Sequence, residues 1–212
     1  MTNIAIIGAN GRSAREIIPR LSALAYTHLT LFLRHADQLK DFDTTDARIV
    51  EGDAHDPGSL DVTVANQDVV VIALGGTDLD VTTRLVVEAA QRAGVTRIIA
   101  INAGGIYDEL PEPFNAWDDE RAGHTRPTNL RAAEAIEQSG LQYTVLRPVW
   151  LTNKSVTAVE LTQKGEVFKG TETSRASLGQ FIADIVADGT HINENIGITQ
   201  PGTDGDKPAP YR

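Results

Sequence analysis

A doubly wound α/β fold, a parallel sheet with helices on both faces, is what this chain predicts, and three observations carry the prediction. Short apolar strands alternate with helical patterns as far as Leu146, the order that right-handed βαβ units produce. The first strand runs straight into a glycine turn and then a helix: Ile4-Ala5-Ile6-Ile7 precedes Gly8-Ala9-Asn10-Gly11-Arg12-Ser13-Ala14. Gly94 and Gly140 each stand just past a helical run and before a strand, as helix C-caps do.

The elements follow in order. Strands are expected at Asn3 to Ile7, His28 to Leu33, Ala47 to Glu51, Val69 to Leu74, Arg97 to Ile101 and Gln142 to Leu146, all short apolar runs bounded by turn residues. Helices are expected at Ala14 to Ala25, Pro57 to Ala65, Val81 to Ala93 and Leu130 to Ser139. Beyond about residue 150 the pattern is less regular: Phe168-Lys169-Gly170 ends a short strand, Leu178 to Val186 reads as a helix, and Gly197-Ile198-Thr199 adds an edge strand. From Gln200 onward Gly and Pro are frequent, so a surface loop is expected. One domain over residues 1–212 is anticipated, with a small irregular C-terminal portion from about 150.

Composition narrows the class. The chain has 212 residues, 41% of them hydrophobic, enough for one substantial core. No apolar run approaches the roughly 18 residues of a membrane span. Zero cysteines exclude disulfides, thiol catalysis and cysteine-held metal. No histidine and carboxylate spacing suggests a metal site, and Asp118-Asp119-Glu120 reads as a solvated acidic loop. A net charge of −10 argues against nucleic-acid binding, and without a signal-like N-terminus the expected location is cytoplasmic.

The glycine turn carries the first functional expectation. Gly8 lets the chain leave a buried strand through a tight turn, Gly11 lets backbone approach a pyrophosphate, and Ala14 lets the next helix pack closely on the sheet. The N–H groups and positive dipole end of that helix then face phosphate. This is a Rossmann-like dinucleotide site built on Gly8, Asn10, Gly11, Arg12 and Ser13. The second strand ends in Arg34-His35 with no acid in the position that would hold ribose hydroxyls. A carboxylate there would repel a 2′-phosphate and a guanidinium would pair with it, so NADP is preferred over NAD, with Arg12 as a second cation. Gly75-Gly76 lies after the fourth strand, where it either permits close approach to the cofactor or simply turns the chain. Asp53 has the same ambiguity between ligand contact and local turn.

On these residues the chain resembles the short-chain dehydrogenase/reductase superfamily, and within it the atypical NAD(P)H-binding branch of NmrA-like and flavin-reductase-like proteins. The resemblance rests on the Gly8 to Ala14 turn, Leu33-Arg34, Glu51-Gly52-Asp53-Ala54, Ala73-Leu74-Gly75-Gly76, Ser139-Gly140-Leu141-Gln142-Tyr143-Thr144-Val145-Leu146-Arg147-Pro148, Val167-Phe168-Lys169-Gly170 and Thr173-Ser174-Arg175. It implies that Asp53 and Ala54 border the adenine, that Leu74, Gly75 and Gly76 follow the ribose and diphosphate, and that Pro148 and Val149 lie near the nicotinamide.

The superfamily's Tyr-x-x-x-Lys pair is absent: Tyr26, Tyr107, Tyr143 and Tyr211 each lack a lysine four residues on. Alignment places Leu130 or Arg131 where the lysine would be, and the strand end that usually carries serine reads Ile101-Asn102-Ala103. Ordinary carbonyl reduction is therefore disfavoured. A stacked flavin- or quinone-like acceptor needs mainly proximity and a dry site. Asn102, Tyr107 and His124 are the candidate catalytic residues; with Trp117 and Trp150 they either line an acceptor pocket or serve packing and loop anchoring. The expected function is an NADPH-dependent oxidoreductase acting on a small-molecule acceptor. A non-catalytic NAD(P)-sensing regulator with a protein partner is the alternative, and an epimerase- or dehydratase-like enzyme is the third.

Overall fold

The computed structural model describes residues 1–40 and 42–211. Among them the strands are β1 (Thr2–Ile7), β2 (Thr27–Leu33), β3 (Ala47–Glu51), β4 (Val69–Ile72), β5 (Arg97–Ile101), β6 (Gln142–Pro148), β7 (Trp150–Thr152), β8 (Glu160–Thr162), β9 (Glu172–Ser174) and β10 (Glu194–Thr199). The α-helices are α1 (Ala14–Ser22), α2 (Pro57–Val64), α3 (Leu79–Ala93), α4 (Phe114–Ala122), α5 (Arg126–Glu137) and α6 (Arg175–Asp188). The main sheet has the order β3-β2-β1-β4-β5-β6-β10-β8, parallel throughout except for β8 at one edge. The fold is the Rossmann-like one that the alternation of elements predicts.

Period-two alternation divides the core into two layers. Along β1, Ile4 and Ile6 pack with Ile17, Leu21 and Leu178 of α1 and α6, while Ala5 and Ile7 face Leu60, Val86 and Ala133 of α2, α3 and α5. Ile4 through Ile7 are wholly buried, and each of the three isoleucines contributes about 1.5–3 kcal/mol relative to exposure. On the first face, α1 and α6 approach so closely that a Cβ on Gly179 would lie 2.8 Å from the Glu16 carbonyl oxygen.

Several elements depart from expectation. Gly197 to Thr199 belong to β10, which is interior, paired with β6 on one side and β8 on the other. The edge role falls to β8, a three-residue strand too short to announce itself in sequence. Phe168 to Gly170 form no strand; Phe168 is buried and its N–H donates to the Glu109 carbonyl (2.9 Å). The portion after about residue 150 carries four strands and α6 rather than irregular chain. α1 ends at Ser22 instead of Ala25, because the chain turns through left-handed Tyr26 (φ 64) to enter β2. Gly94 is the left-handed cap of α3, whereas Gly140, also at positive φ, lies beyond the α5 cap at Gln138.

Candidate functional site

The sheet order reverses between β1 and β4, so the loops leaving those strands diverge and open a crevice at their carboxyl ends. Three cavities follow one another there. The first, about 380 Å³, is lined by Gly8, Asn10, Gly11, Arg34, Asp53 and Ala54 among others. Ala73, Leu74 and Gly75 continue into the second, about 470 Å³, which Ser13, Gly76, Asn102 and His124 also line. Asn102, Thr125 and Leu151 lead into the third, about 230 Å³, which Pro148, Val149 and Trp150 close. One groove therefore collects every candidate residue except Arg12, Tyr107 and Trp117.

The glycine turn is shaped by backbone. Gly8 sits at φ +89, and a Cβ there would lie 2.8 Å from the Ala73 carbonyl oxygen, so the β1 and β4 loops meet only because side-chain atoms are missing. The N–H groups of Gly8 and Ala9 both donate to the Phe32 carbonyl (3.0 Å each). Among the described residues nothing accepts from the N–H groups of Arg12 and Ser13, and Ser13 makes no side-chain cap on α1. An uncapped helix terminus with free donors favours an anion. The residues present thus fit a dinucleotide diphosphate.

Arg34 is exposed on the rim of the first cavity and forms no salt bridge among the described residues. Across the same cavity His55 links two carboxylates: its Nδ1 meets Asp53 Oδ1 at 2.8 Å and its Nε2 meets Asp78 Oδ2 at 2.9 Å. Hydrogen bonding to Asp53 raises the His55 pKa, and the His55 backbone and side-chain hydrogen bonds lower that of Asp53. Arg12 lines none of the three cavities, and its charge acts on Arg175 instead. Asn10 turns to Gln38 and Arg15: its Nδ2 donates to Gln38 Oε1, and Arg15 Nη2 donates to its Oδ1 (2.6 Å).

The other end is built from side chains. Asn102, at the end of β5, donates from Nδ2 to the Asn129 carbonyl (2.9 Å) and accepts from the Ala103 N–H (2.8 Å). His124 stands in the second cavity beside Thr125 and Asn129. Asp118-Asp119-Glu120 is no acidic loop but part of α4; Asp118 is 7% exposed, accepting from Trp150 Nε1 (2.8 Å) and Arg126 Nη2 (2.8 Å). Trp117 and Trp150 pack edge to face at 4.8 Å, with Tyr211 against both. Thus the chain's last turn does more than cover the surface.

Tyr107 is brought elsewhere. Its hydroxyl accepts from Asn195 Nδ2 (2.9 Å) and its ring stacks under Arg147. A lysine does meet it, since Lys164 Nζ lies 4.5 Å from the ring, yet both stand outside the groove. Burial, followed by the nearby Glu137 charge, pushes the phenol pKa up, the opposite of what a proton-exchanging tyrosine requires. Arg147, wholly buried, is ion-paired with buried Glu109 and donates from Nε to Asn195 Oδ1 (2.7 Å).

Sequence reasoning missed Thr125 and Asn129. They are spaced by four residues, as Tyr and Lys are in the motif, and both line the groove. Arg131 pairs with Asp80 of α3 (2.7 Å) and Leu130 packs in a core layer, so neither lines the groove.

A family model described as NAD(P)H-binding matches residues 8–189. The chain belongs to this NAD(P)H-binding family. A Rossmann-fold NAD(P)-binding family protein from Shigella flexneri is 40% identical, with 98% of each chain covered and a TM-score of 0.82. A short-chain dehydrogenase/reductase from Veillonella parvula, solved in complex with NADP, is 27% identical over 98% of this chain and 99% of its own, with a TM-score of 0.88. ChuY, an anaerobillin reductase from Escherichia coli O157:H7, shares the fold at 20% identity, TM-score 0.82, covering 96% of this chain and 100% of its own. The resemblance to the atypical branch of the superfamily is borne out. This NAD(P)H-binding protein has an oxidoreductase-like fold for a nicotinamide cofactor, and among its described residues no helix is long and apolar enough to cross a membrane.

Proposed function

We propose that this protein is an NADPH-dependent reductase whose acceptor is a small planar molecule of flavin or quinone type. One observation carries the reading: a single groove joins a phosphate cradle with a free arginine at its rim to a second end walled by Leu151, Val149 and Trp150. Arg34 is the residue that would pair with the 2′-phosphate, and Arg12 and Ser13 would hold the diphosphate by backbone N–H groups, with the glycine turn allowing its close approach. Asp53, Ala54, Leu74, Gly75 and Gly76 line the path between, and Pro148 and Val149 the far end. The cofactor supplies hydride when bound.

The chain's own contribution is placement and exclusion of water. Asn102 retains one N–H and one acceptor lone pair for a ligand carbonyl or carboxamide, and His124 is the group nearest to hand for a proton. Neither replaces the tyrosine and lysine of ketone reducers. A stacked acceptor that takes its proton from water needs no such pair.

NADPH oxidation, followed by absorbance against a panel of flavins, quinones and small carbonyls, tests this. Turnover is expected with the first two classes above the carbonyls; none above background with any acceptor would overturn it. The missing tyrosine and lysine also favour a second reading, a non-catalytic NAD(P) sensor, which predicts cofactor binding without turnover and a protein partner recovered by pull-down.

A further inference from the structure

Among the described residues lining the third cavity, Trp150 is the one aromatic side chain. Leu110, Pro148, Val149 and Leu151 make the apolar walls around it, and the two charged residues there, Asp118 and Arg126, are paired with each other at 2.8 Å. A cavity end of this kind takes an uncharged, apolar edge in preference to an ionic one.

Trp150 is held from several sides. Its indole N–H donates to Asp118 Oδ1 (2.8 Å), and its ring centroid lies 4.8 Å from that of Trp117 and 5.5 Å from that of Tyr211. Trp117 and Tyr211 meet each other at 5.2 Å. Both tryptophans pack on Leu110, Phe114, Val149 and Phe168, an apolar cluster apart from the two layers of the main sheet.

Tyr211 lines none of the three cavities and is 51% exposed, yet strand pairing brings it onto Trp150. Parallel β7 and β9 set Trp150 opposite Glu172. Glu172 is wholly buried: one carboxylate oxygen accepts from Lys154 Nζ and the other from the Ala209 N–H, two residues before Tyr211. Next to it, the Thr171 N–H donates to Thr203 Oγ1 (3.1 Å) and Thr171 Oγ1 donates to the Thr203 carbonyl (2.6 Å). Ala209–Tyr211 then form a short 3-10 turn. The strand partner of Trp150 therefore anchors the turn that packs on it.

We infer that Trp150 is the ring on which the uncharged fused-ring edge of a planar acceptor stacks, and that Tyr211 is a positioning residue for that acceptor, acting through Trp150. This rests on the acceptor reading above and deepens it by naming which edge of the acceptor enters and what receives it. A ring fixed before the ligand arrives spares the cost of ordering it on binding.

Riboflavin is the probe, with NADP+ at saturation so that no hydride is available. A flavin stacked on an indole loses most of its own emission by electron transfer from the indole, so one titration reads both affinity and contact. The parent is expected to bind riboflavin with its emission quenched. Trp150→Leu should weaken binding about fivefold or more, as loss of a stacked ring does, and leave the bound flavin emissive. Tyr211→Leu should weaken binding about two- to tenfold, the value of one aromatic pair, and leave NADP+ affinity where it was. It should also shift tryptophan emission to the red, because both tryptophans of the chain lie in the cluster. Tyr211→Phe should restore the parent's behaviour, and exposed Tyr211 keeps the test open should Trp150→Leu fail to fold. Absent or unquenched riboflavin binding in the parent, affinity unmoved by either leucine variant, or Tyr211→Phe as weak as Tyr211→Leu would overturn the inference. So would a parallel fall in NADP+ affinity of Tyr211→Leu, or tryptophan emission that this variant leaves unchanged. NADPH oxidation by flavins or quinones that neither leucine variant alters keeps the reductase reading and loses this one; quenched riboflavin binding that depends on Trp150 and Tyr211, with no NADPH oxidation, does the reverse.

Discussion

The two ends of the groove are built on opposite principles. At the β1 and β4 loops the walls are mostly backbone, the donors at the start of α1 are free, and Arg34 reaches out unpaired. Beyond Asn102 the polar groups are already joined to one another: Asn102 to Asn129, Asp118 to Trp150 and Arg126, and, in the core next to Pro148 rather than in the groove itself, Arg147 to Glu109. An end with spare donors waits for its ligand, whereas an end whose groups are mutually satisfied offers shape and dryness. This is why cofactor chemistry can be assigned to residues and acceptor chemistry only to a class.

The largest effect should come from breaking the satisfied end. Glu109→Gln leaves the buried Arg147 charge with its Asn195 and Gln163 hydrogen bonds but without its counter-charge, and loss of one member of such a pair costs about 3–5 kcal/mol. Urea unfolding is expected to show that loss. NADP+ affinity should stay within about twofold, because the variant shares no partner with the glycine turn. A comparable fall in cofactor affinity would mean that the ends are coupled and the contrast is wrong.

The same contrast explains what could be read from sequence. The glycine turn, Arg34 and Gly75-Gly76 act through local backbone geometry, and local geometry leaves spacing that a reader can find. Glu109, Asn129 and Asp118 meet partners 38, 27 and 32 positions away in sequence, and nothing at either position announces the other. β10 was expected at the edge for a related reason: strand order there depends on β8 returning antiparallel, which three residues do not reveal. Tyr107 was a candidate because its residue type fits, and only the fold, which turns it to Asn195 and out of the groove lining, sets it apart.

A second variant probes the open end. Arg34→Ala should weaken NADPH by roughly 1.5–3 kcal/mol, the value of a hydrogen-bonded charge pair, and leave NADH little changed in the same calorimetric titration. Equal weakening of both would remove Arg34 from the 2′-phosphate and make it an ordinary exposed arginine.

The smallest expected effect tests a place where the open end closes on itself. His55 bridges Asp53 and Asp78 across the nucleotide cavity, and the Asp53 hydrogen bond, with the two negative charges, raises its pKa despite slight desolvation. A folded-state pKa above the unfolded one means that the folded protein binds the proton more tightly. The bridge's contribution is therefore fully present below the ordinary imidazole value and fades as pH rises through the raised one. His55 is about half exposed, so solvent screening keeps the contribution small. An NMR titration of the imidazole should give a midpoint above the ordinary value, and His55→Gln should flatten stability over that interval alone. A midpoint at or below the ordinary value would show that the bridge does not persist in solution, leaving Asp53 as free to meet a ligand as Arg34.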